Sequence, residues 1–146
     1  MLGWNAASPW DGYICARWIW AFHQPKFAYF CCEMLVFRVC GARQNFYVFS
    51  LYRNHDLDDQ IYDCLFTAMA SVQAADGRAS FLFVGDLYGY HHEWFGSTTT
   101  NRHGVVALDF ATVSGCDQLV IGATHARGGT LDVLMTDVPD LVPSLL

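Results

Sequence analysis

Basic residues are scarce in this chain of 146 residues: 8 Lys plus Arg stand against 14 Asp plus Glu, a formal net charge of −6. Proteins that grip nucleic acid by releasing counterions carry a basic surface. The balance therefore argues against tight nonspecific binding, although not against a metal-dependent nuclease, whose ion-binding groups are carboxylates. Glutamate is scarcer still, limited to Glu33 and Glu93. None of the six cysteines (Cys15, Cys31, Cys32, Cys40, Cys64 and Cys116) forms a Cys-x-x-Cys pair, so neither a zinc ribbon nor a thioredoxin motif is supported. Cys31, Cys40, Cys64 and Cys116 lie in apolar runs and read as small buried hydrophobes of a reducing compartment. Long hydrophobic runs are missing as well. Glu33 and Arg38 break the stretch from Phe27 to Val39, and Asp109 breaks Val105 to Val113, well short of the roughly 20 apolar residues of a membrane span. The first basic residue is Arg17, so no secretory signal is expected. These absences predict an intracellular protein, nuclear or cytoplasmic, with no membrane association.

What the chain does have is apolar bulk: 53% hydrophobic and 16% aromatic residues, with only 15% charged. Disorder needs the opposite composition. The length suits one domain and permits an ordinary core without disulfide staples. Four of the five tryptophans fall between Met1 and Phe22 without a clear period. Residues 1–24 are therefore left unassigned, and 25–146 are read as the domain. Phe27 to Val39 and Asn45 to Tyr52, separated by Gly41-Ala42-Arg43-Gln44, predict a hairpin. Asn54 or Asp56 then caps a helix, with Asp58 and Asp59 at its positive end and an apolar stripe of Leu57, Ile61, Leu65, Ala68, Met69 and Val72. Ser80 to Val84 reads as a strand covered on both faces. A loop leads to a helix from about Gly104 to Val113, followed by strands Gln118 to Ile121 and Thr130 to Thr136. The order of elements predicts an α/β layered domain.

The most informative local pattern is Phe81-Leu82-Phe83-Val84-Gly85-Asp86, which delivers a carboxylate at the end of a buried strand, where α/β sheets place ligands. Asp132 lies within a second apolar strand, where a charge must be paired, metal-bound or turned to solvent. Two aspartates from two strands suit a divalent ion with oxygen ligands. Other polar groups have plainer readings. His91 and His92 should point apart as solvated loop residues, and Asp56, Asp58, Asp59 and Asp63 read as a solvated helix face. Trp94 either packs the loop base or stacks on a base, and Asn101 either caps a loop or contacts a substrate backbone.

In wording, the chain resembles the endonuclease/exonuclease/phosphatase superfamily, in the branch found as the endonuclease domain of non-LTR retrotransposons. The resemblance runs in order through Ser50-Leu51-Tyr52-Arg53-Asn54, Phe83-Val84-Gly85-Asp86-Leu87, Glu93-Trp94-Phe95-Gly96-Ser97 and Thr99-Thr100-Asn101-Arg102-His103-Gly104. It ends with Thr124 and Gly129-Thr130-Leu131-Asp132, covering about Pro25 to Pro139. It implies an α/β (α+β) fold, a partial two-layer β-sandwich flanked by helices of the DNase I type, and cleavage of DNA phosphodiester bonds with Mg²⁺ or Mn²⁺. It also implies catalytic roles for Tyr52 (positioning the phosphate), Asp86 (orienting or deprotonating water) and Asp132, with Asp86 and Asp132 holding the metal. Asn54, Tyr88, Trp94 and Asn101 are the implied substrate contacts.

The chain departs from that pattern in three places. Tyr88 stands where the family has an asparagine. The family's metal-binding glutamate lies upstream of the hairpin, and neither Glu33 nor Glu93 matches it. The family's Ser-Asp-His is absent, and none of the six histidines replaces it. These departures predict a truncated endonuclease domain that holds its metal weakly and is weakly active or inactive, or else a catalytically dead remnant serving as a binding or structural module. Strands left without partners predict self-association through exposed sheet edges.

Overall fold

In the computed structural model, the described residues are 15–22, 32–40, 44–53, 60–94, 97–120, 122–125, 130 and 132–141. The strands are β1 (Cys15–Phe22), β2 (Cys32–Cys40), β3 (Asn45–Arg53), β4 (Ala79–Asp86), β5 (Asp117–Gln118) and β6 (Asp132–Thr136); the helices are α1 (Gln60–Ala75) and α2 (Arg102–Ser114). The strands form one sheet in the order β1-β2-β3-β4-β6-β5. β2 and β3 are the expected antiparallel hairpin, paired from Cys32↔Arg53 to Cys40↔Asn45. β3 and β4 are parallel, so the chain must cross over between them, and α1 supplies that crossover. β6 then pairs antiparallel to β4, and β5 to β6. The architecture is α+β, and the described residues supply one sheet layer of it.

Boundaries moved for physical reasons. The strand expected over Gln118 to Ile121 is formed only at Asp117–Gln118, with the Leu119 amide still bonded to the Leu134 carbonyl (2.7 Å) of β6. β4 runs two residues further than its apolar core, to Asp86, since pairing with both β3 and β6 continues that far. β1 arises inside the tryptophan-rich segment and pairs with β2 across an irregularity between Trp18 and Trp20; that break in register disrupts an alternating pattern. The proposed caps Asn54 and Asp56, with Leu57, Asp58 and Asp59, lie outside the described residues.

Alternation along the strands sorts side chains onto two faces. One face carries Met34, Val36, Tyr47, Phe49, Leu51, Phe81, Phe83, Val133 and Met135, and both helices pack there through Ile61, Tyr62, Leu65, Met69, Ala107, Phe110 and Ala111. Phe49, Phe81 and Phe83 are fully buried. The Phe83 ring meets the Phe110 ring edge-on at 5.3 Å, and Phe66 lies 4.8 Å from Phe110, arrangements that aromatic quadrupoles favour. The helical stripe predicted from spacing is therefore the core stripe, with Leu57 alone lying outside the description. The opposite face is also largely apolar. Phe37, Val39, Phe46, Leu82, Val84 and Leu134 are half-buried there, and Leu35 is 41% exposed.

Two local devices hold the sheet ends. Asp76, in the turn between α1 and β4, accepts from Asn45 Nδ2 (2.6 Å), Tyr47 Oη (3.1 Å) and the Arg78 amide (3.0 Å). These bonds hold its carboxyl below the usual carboxylate range, the Asn45 bond foremost. Gly85 adopts φ +145°, and a Cβ there would meet the Leu51 carbonyl oxygen at 1.8 Å, so neither the conformation nor the space accepts a side chain.

Gly85→Ala should destabilise the fold by at least the about 1–3 kcal/mol of an unfavourable backbone conformation, measured by denaturant unfolding; wild-type stability would refute this account of the strand end. Asp76→Ala should lower the melting temperature near neutral pH. Because the Asp76 pKa is depressed in the fold, its contribution is present above the ordinary carboxylate pKa and fades as the pH falls through the folded value. The gap between variant and wild type should therefore close in acid.

Candidate active site

The parallel register of β3 and β4 ends with Tyr52 beside Asp86, and the antiparallel register of β4 and β6 sets Asp86 opposite Asp132. Tyr52, Asp86 and Asp132 are thus consecutive members of one row across three strands. All three lie on the face away from the helices, at the carboxyl end of β4. The structure brings together the three residues that the sequence nominates as catalytic. Tyr52 is 51% exposed, Asp132 is exposed and Asp86 is half-buried. Directly opposed residues place their Cβ atoms about 4.5–5.5 Å apart, so the two carboxylates interact. Burial, and then the negative charge of Asp132, push the Asp86 carboxyl above the usual carboxylate range, against a bond from the Tyr88 amide and the nearby His125.

The loop after β4 is fixed from below. Asp86 Oδ1 accepts from the Tyr88 amide (3.0 Å), and Tyr88 adopts φ 50°. Asn101 is the N-cap of α2, its Oδ1 accepting from the amides of Gly104 (2.8 Å) and Tyr90 (2.9 Å) while its Nδ2 donates to the Tyr88 carbonyl (3.2 Å). Of its two readings, the cap is what this structure uses. Gly104 lies so close to Tyr90 that a Cβ would sit 2.0 Å from the Tyr90 carbonyl oxygen. Trp94 is half-buried and packs against the core cluster, so the loop-base reading fits its position. Asn54, the remaining nominated substrate contact, lies outside the described residues. The histidine pair departs from expectation: His91 is buried, and its ring stacks on that of His92 at 5.2 Å and 10°. His91 Nδ1 accepts from the Trp94 amide (3.3 Å), which turns it inward.

Arg53 was not nominated by the sequence as a functional residue, yet its side chain is fully buried directly behind the row. Nη1 donates to the Leu87 carbonyl (3.3 Å) and Nη2 to the His103 ring (2.9 Å to Nδ1). It ties the end of β3 to both the post-β4 loop and the start of α2. The signal was available in parity, because Arg53 continues the inward series Tyr47, Phe49, Leu51.

On the far side, the Asp132 amide donates to Thr124 Oγ1 (3.3 Å) and the Thr130 hydroxyl donates to the Gly122 carbonyl, so the segment carrying His125 is held against the start of β6. Among the described residues, no three His, Cys, Asp or Glu side chains gather as a metal cage. The Asp86–Asp132 pair nonetheless suits Mg²⁺, which is commonly held by one or two carboxylates completed by water and substrate phosphate, and the mutual repulsion of the pair is what a cation would relieve. Cys40 and Cys64 are free and half-buried, and Cys116 is free and buried, its thiol pKa pushed up by desolvation.

The described residues form a mixed sheet with both helices on one face, an α+β arrangement consistent with the DNase I-like fold of a solved endonuclease domain. The solved endonuclease domain of TRAS1, a telomere-specific non-LTR retrotransposon, superimposes with a TM-score of 0.58 at 16% sequence identity, over 84% of this chain and 53% of that one. The chain thus spans about half the length of the domain it matches. No protein-family profile matches the sequence, and no curated protein matches it. No described helix is long and apolar enough to cross a membrane.

Because the folded pKa of Asp86 is raised, the folded state binds this proton more tightly than the unfolded chain does. Stability from this group is complete at low pH and is lost as the pH rises through its folded pKa. Asp86→Asn should therefore melt higher than wild type at pH 7 in metal-free buffer, with the difference vanishing near pH 3; a variant that melts lower at pH 7 would contradict this.

Proposed function

We propose that this chain is a fragment of a retrotransposon-type DNA endonuclease domain, with residual Mg²⁺- or Mn²⁺-dependent phosphodiester hydrolysis that is weak or lost. The observation that carries the reading is the single row of Tyr52, Asp86 and Asp132, three residues from three strands meeting at one sheet end. Phosphodiester cleavage needs an activated water, a cation near the developing charge, and groups that hold the phosphate in line. Asp86, with its raised proton affinity, orients the attacking water and accepts its proton. The exposed Tyr52 hydroxyl donates to a non-bridging phosphate oxygen. Asp132, opposite Asp86, would share a bound ion with it. A bound Mg²⁺ would supply positive charge to the phosphate oxygens. Weakness follows from Tyr88 at the asparagine position, since one missing preorganised donor lowers a rate by roughly 10²–10³. Action on DNA goes with an intracellular site, nuclear or cytoplasmic.

A second reading, a catalytically silent binding or structural module, is favoured by Asn101, whose amide is engaged in the cap. In that reading copies associate through the β1 edge of the sheet.

Supercoiled plasmid incubated with the protein and Mg²⁺ should be nicked slowly, and Asp86→Ala should abolish the nicking. Equal nicking by the variant would sink the enzymatic claim. Calorimetric titration with Mg²⁺ should detect weak binding to the wild type and none to Asp86→Ala. A protein that binds neither Mg²⁺ nor nicks, yet is dimeric by light scattering, supports the module.

A further inference from the structure

We propose that Arg53 is a positioning residue of this site: its buried guanidinium, aligned by the His103 ring, holds the peptide whose amide hydrogen grips the Asp86 carboxylate. The inference rests on the nuclease reading for what Asp86 does, and adds a residue behind the row to which that reading gives no part.

Side-chain alternation sets the geometry. Tyr52 and Arg53 are neighbours on β3 and face opposite ways, Tyr52 half exposed and Arg53 fully buried. Asp86 and Leu87 divide in the same manner, with Asp86 on the site face and Leu87 fully buried. The β3–β4 ladder ends at Tyr52↔Asp86. One step beyond it a side chain takes over from the backbone, as Arg53 Nη1 donates to the Leu87 carbonyl (3.3 Å).

That carbonyl belongs to the Leu87–Tyr88 peptide, and the N–H of the same peptide donates to Asp86 Oδ1 (3.0 Å). A peptide unit is planar, so holding its oxygen also fixes where its hydrogen points. Arg53 thus reaches Asp86 through one rigid unit. Its charge polarises that peptide as well, which strengthens the amide as a donor. The guanidinium is itself held: Nη2 lies 2.9 Å from His103 Nδ1, in the first turn of α2. A guanidinium only donates, so the ring nitrogen facing it accepts. Its planar fork serves two acceptors on different segments in fixed directions, which the ammonium of a lysine does not. Packing alone does not call for this residue. A buried charge is costly, and an apolar side chain would extend the inward series Tyr47, Phe49 and Leu51. Groups behind a metal-binding side chain orient it and tune its affinity, and Asp86 is one of the two carboxylates suited to the ion.

The test uses the full chain and four proteins: wild type, Arg53→Lys, His103→Phe and His103→Asn. Phenylalanine keeps a ring and removes its acceptor, while asparagine returns an acceptor oxygen. The first readout needs no metal. It is hydrogen exchange of the Tyr88 amide relative to that of Tyr90, whose bond to Asn101 Oδ1 (2.9 Å) does not involve Arg53. General destabilisation speeds both amides together, whereas loss of the clamp speeds Tyr88 alone. The ratio should rise about tenfold in Arg53→Lys and His103→Phe, the usual worth of one hydrogen bond, and stay at the wild-type value in His103→Asn. Mg²⁺ affinity by calorimetry should fall about ten- to a hundredfold in the first two variants and recover in the asparagine variant. Should Arg53→Lys fail to fold, the two His103 variants carry the test. An unchanged ratio in a folded His103→Phe overturns the proposal and leaves the nuclease reading intact. Equal losses in the phenylalanine and asparagine variants overturn it too, because the acceptor is then irrelevant. A raised ratio with Mg²⁺ affinity unmoved reduces Arg53 to a structural tie and overturns the positioning role. A wild type without affinity for Mg²⁺ removes the nuclease reading, and the exchange ratio then decides alone whether Arg53 holds Asp86.

Discussion

The parallel pairing of β3 with β4 is the constraint on which the rest of the structure depends. One register, from Asn45↔Ala79 to Tyr52↔Asp86, sets both faces of the sheet at once. On the helix side it aligns Phe49 with Phe83, whose rings lie 5.0 Å apart, and so builds the surface on which Phe110 rests. On the other side it puts a tyrosine next to an aspartate. A slip of one residue would reverse every side chain of β4, removing the phenylalanines from the core and Asp86 from the row together. Core and site are therefore specified by the same pairing, and selection for stability protects the geometry of the site as a by-product.

The site itself opposes that stability. A half-buried carboxylate facing another carboxylate, a tyrosine in the left-handed region and a fully buried arginine are each unfavourable in isolation. They persist because the surroundings over-determine them: Arg53 by the Leu87 carbonyl and His103, Tyr88 by Asp86 and Asn101. Such local conflict, set within a sheet whose other choices agree with one another, is the expected mark of a functional site. It is concentrated where β3, β4 and β6 end.

Much of this was legible in the sequence, and the limits have physical causes. The hairpin showed in its branched and aromatic runs, α1 in the three-and-four spacing of Ile61, Leu65, Ala68, Met69 and Val72, and Asp86 in its place after Phe81-Leu82-Phe83-Val84-Gly85. Periodicity reports which way a side chain faces, however, and not which strand lies alongside. The row of Tyr52, Asp86 and Asp132 is a property of pairing between distant segments, and only the ordered resemblance hinted at it. β1 was hidden by its irregular register. The inward turn of His91 was hidden because it depends on an amide three residues away, Trp94, within a loop that has no repeat. Asn101 was read two ways, since an asparagine before a helix serves equally well as a cap or a contact until its partners are known.

The tight seating of Gly104 against Tyr90, with the three bonds of Asn101, has a kinetic meaning. Tyr88, Tyr90 and the first turn of α2 are tied to one another through Asn101, and Phe110 anchors that helix in the aromatic core. Amide hydrogens of Tyr90 and Gly104 should therefore exchange with solvent on the slow timescale of the core openings and not on that of surface loops. Adaptation of this corner to a ligand is left to rotation of side chains, which takes nanoseconds or less at exposed positions, with the backbone held fixed beneath them.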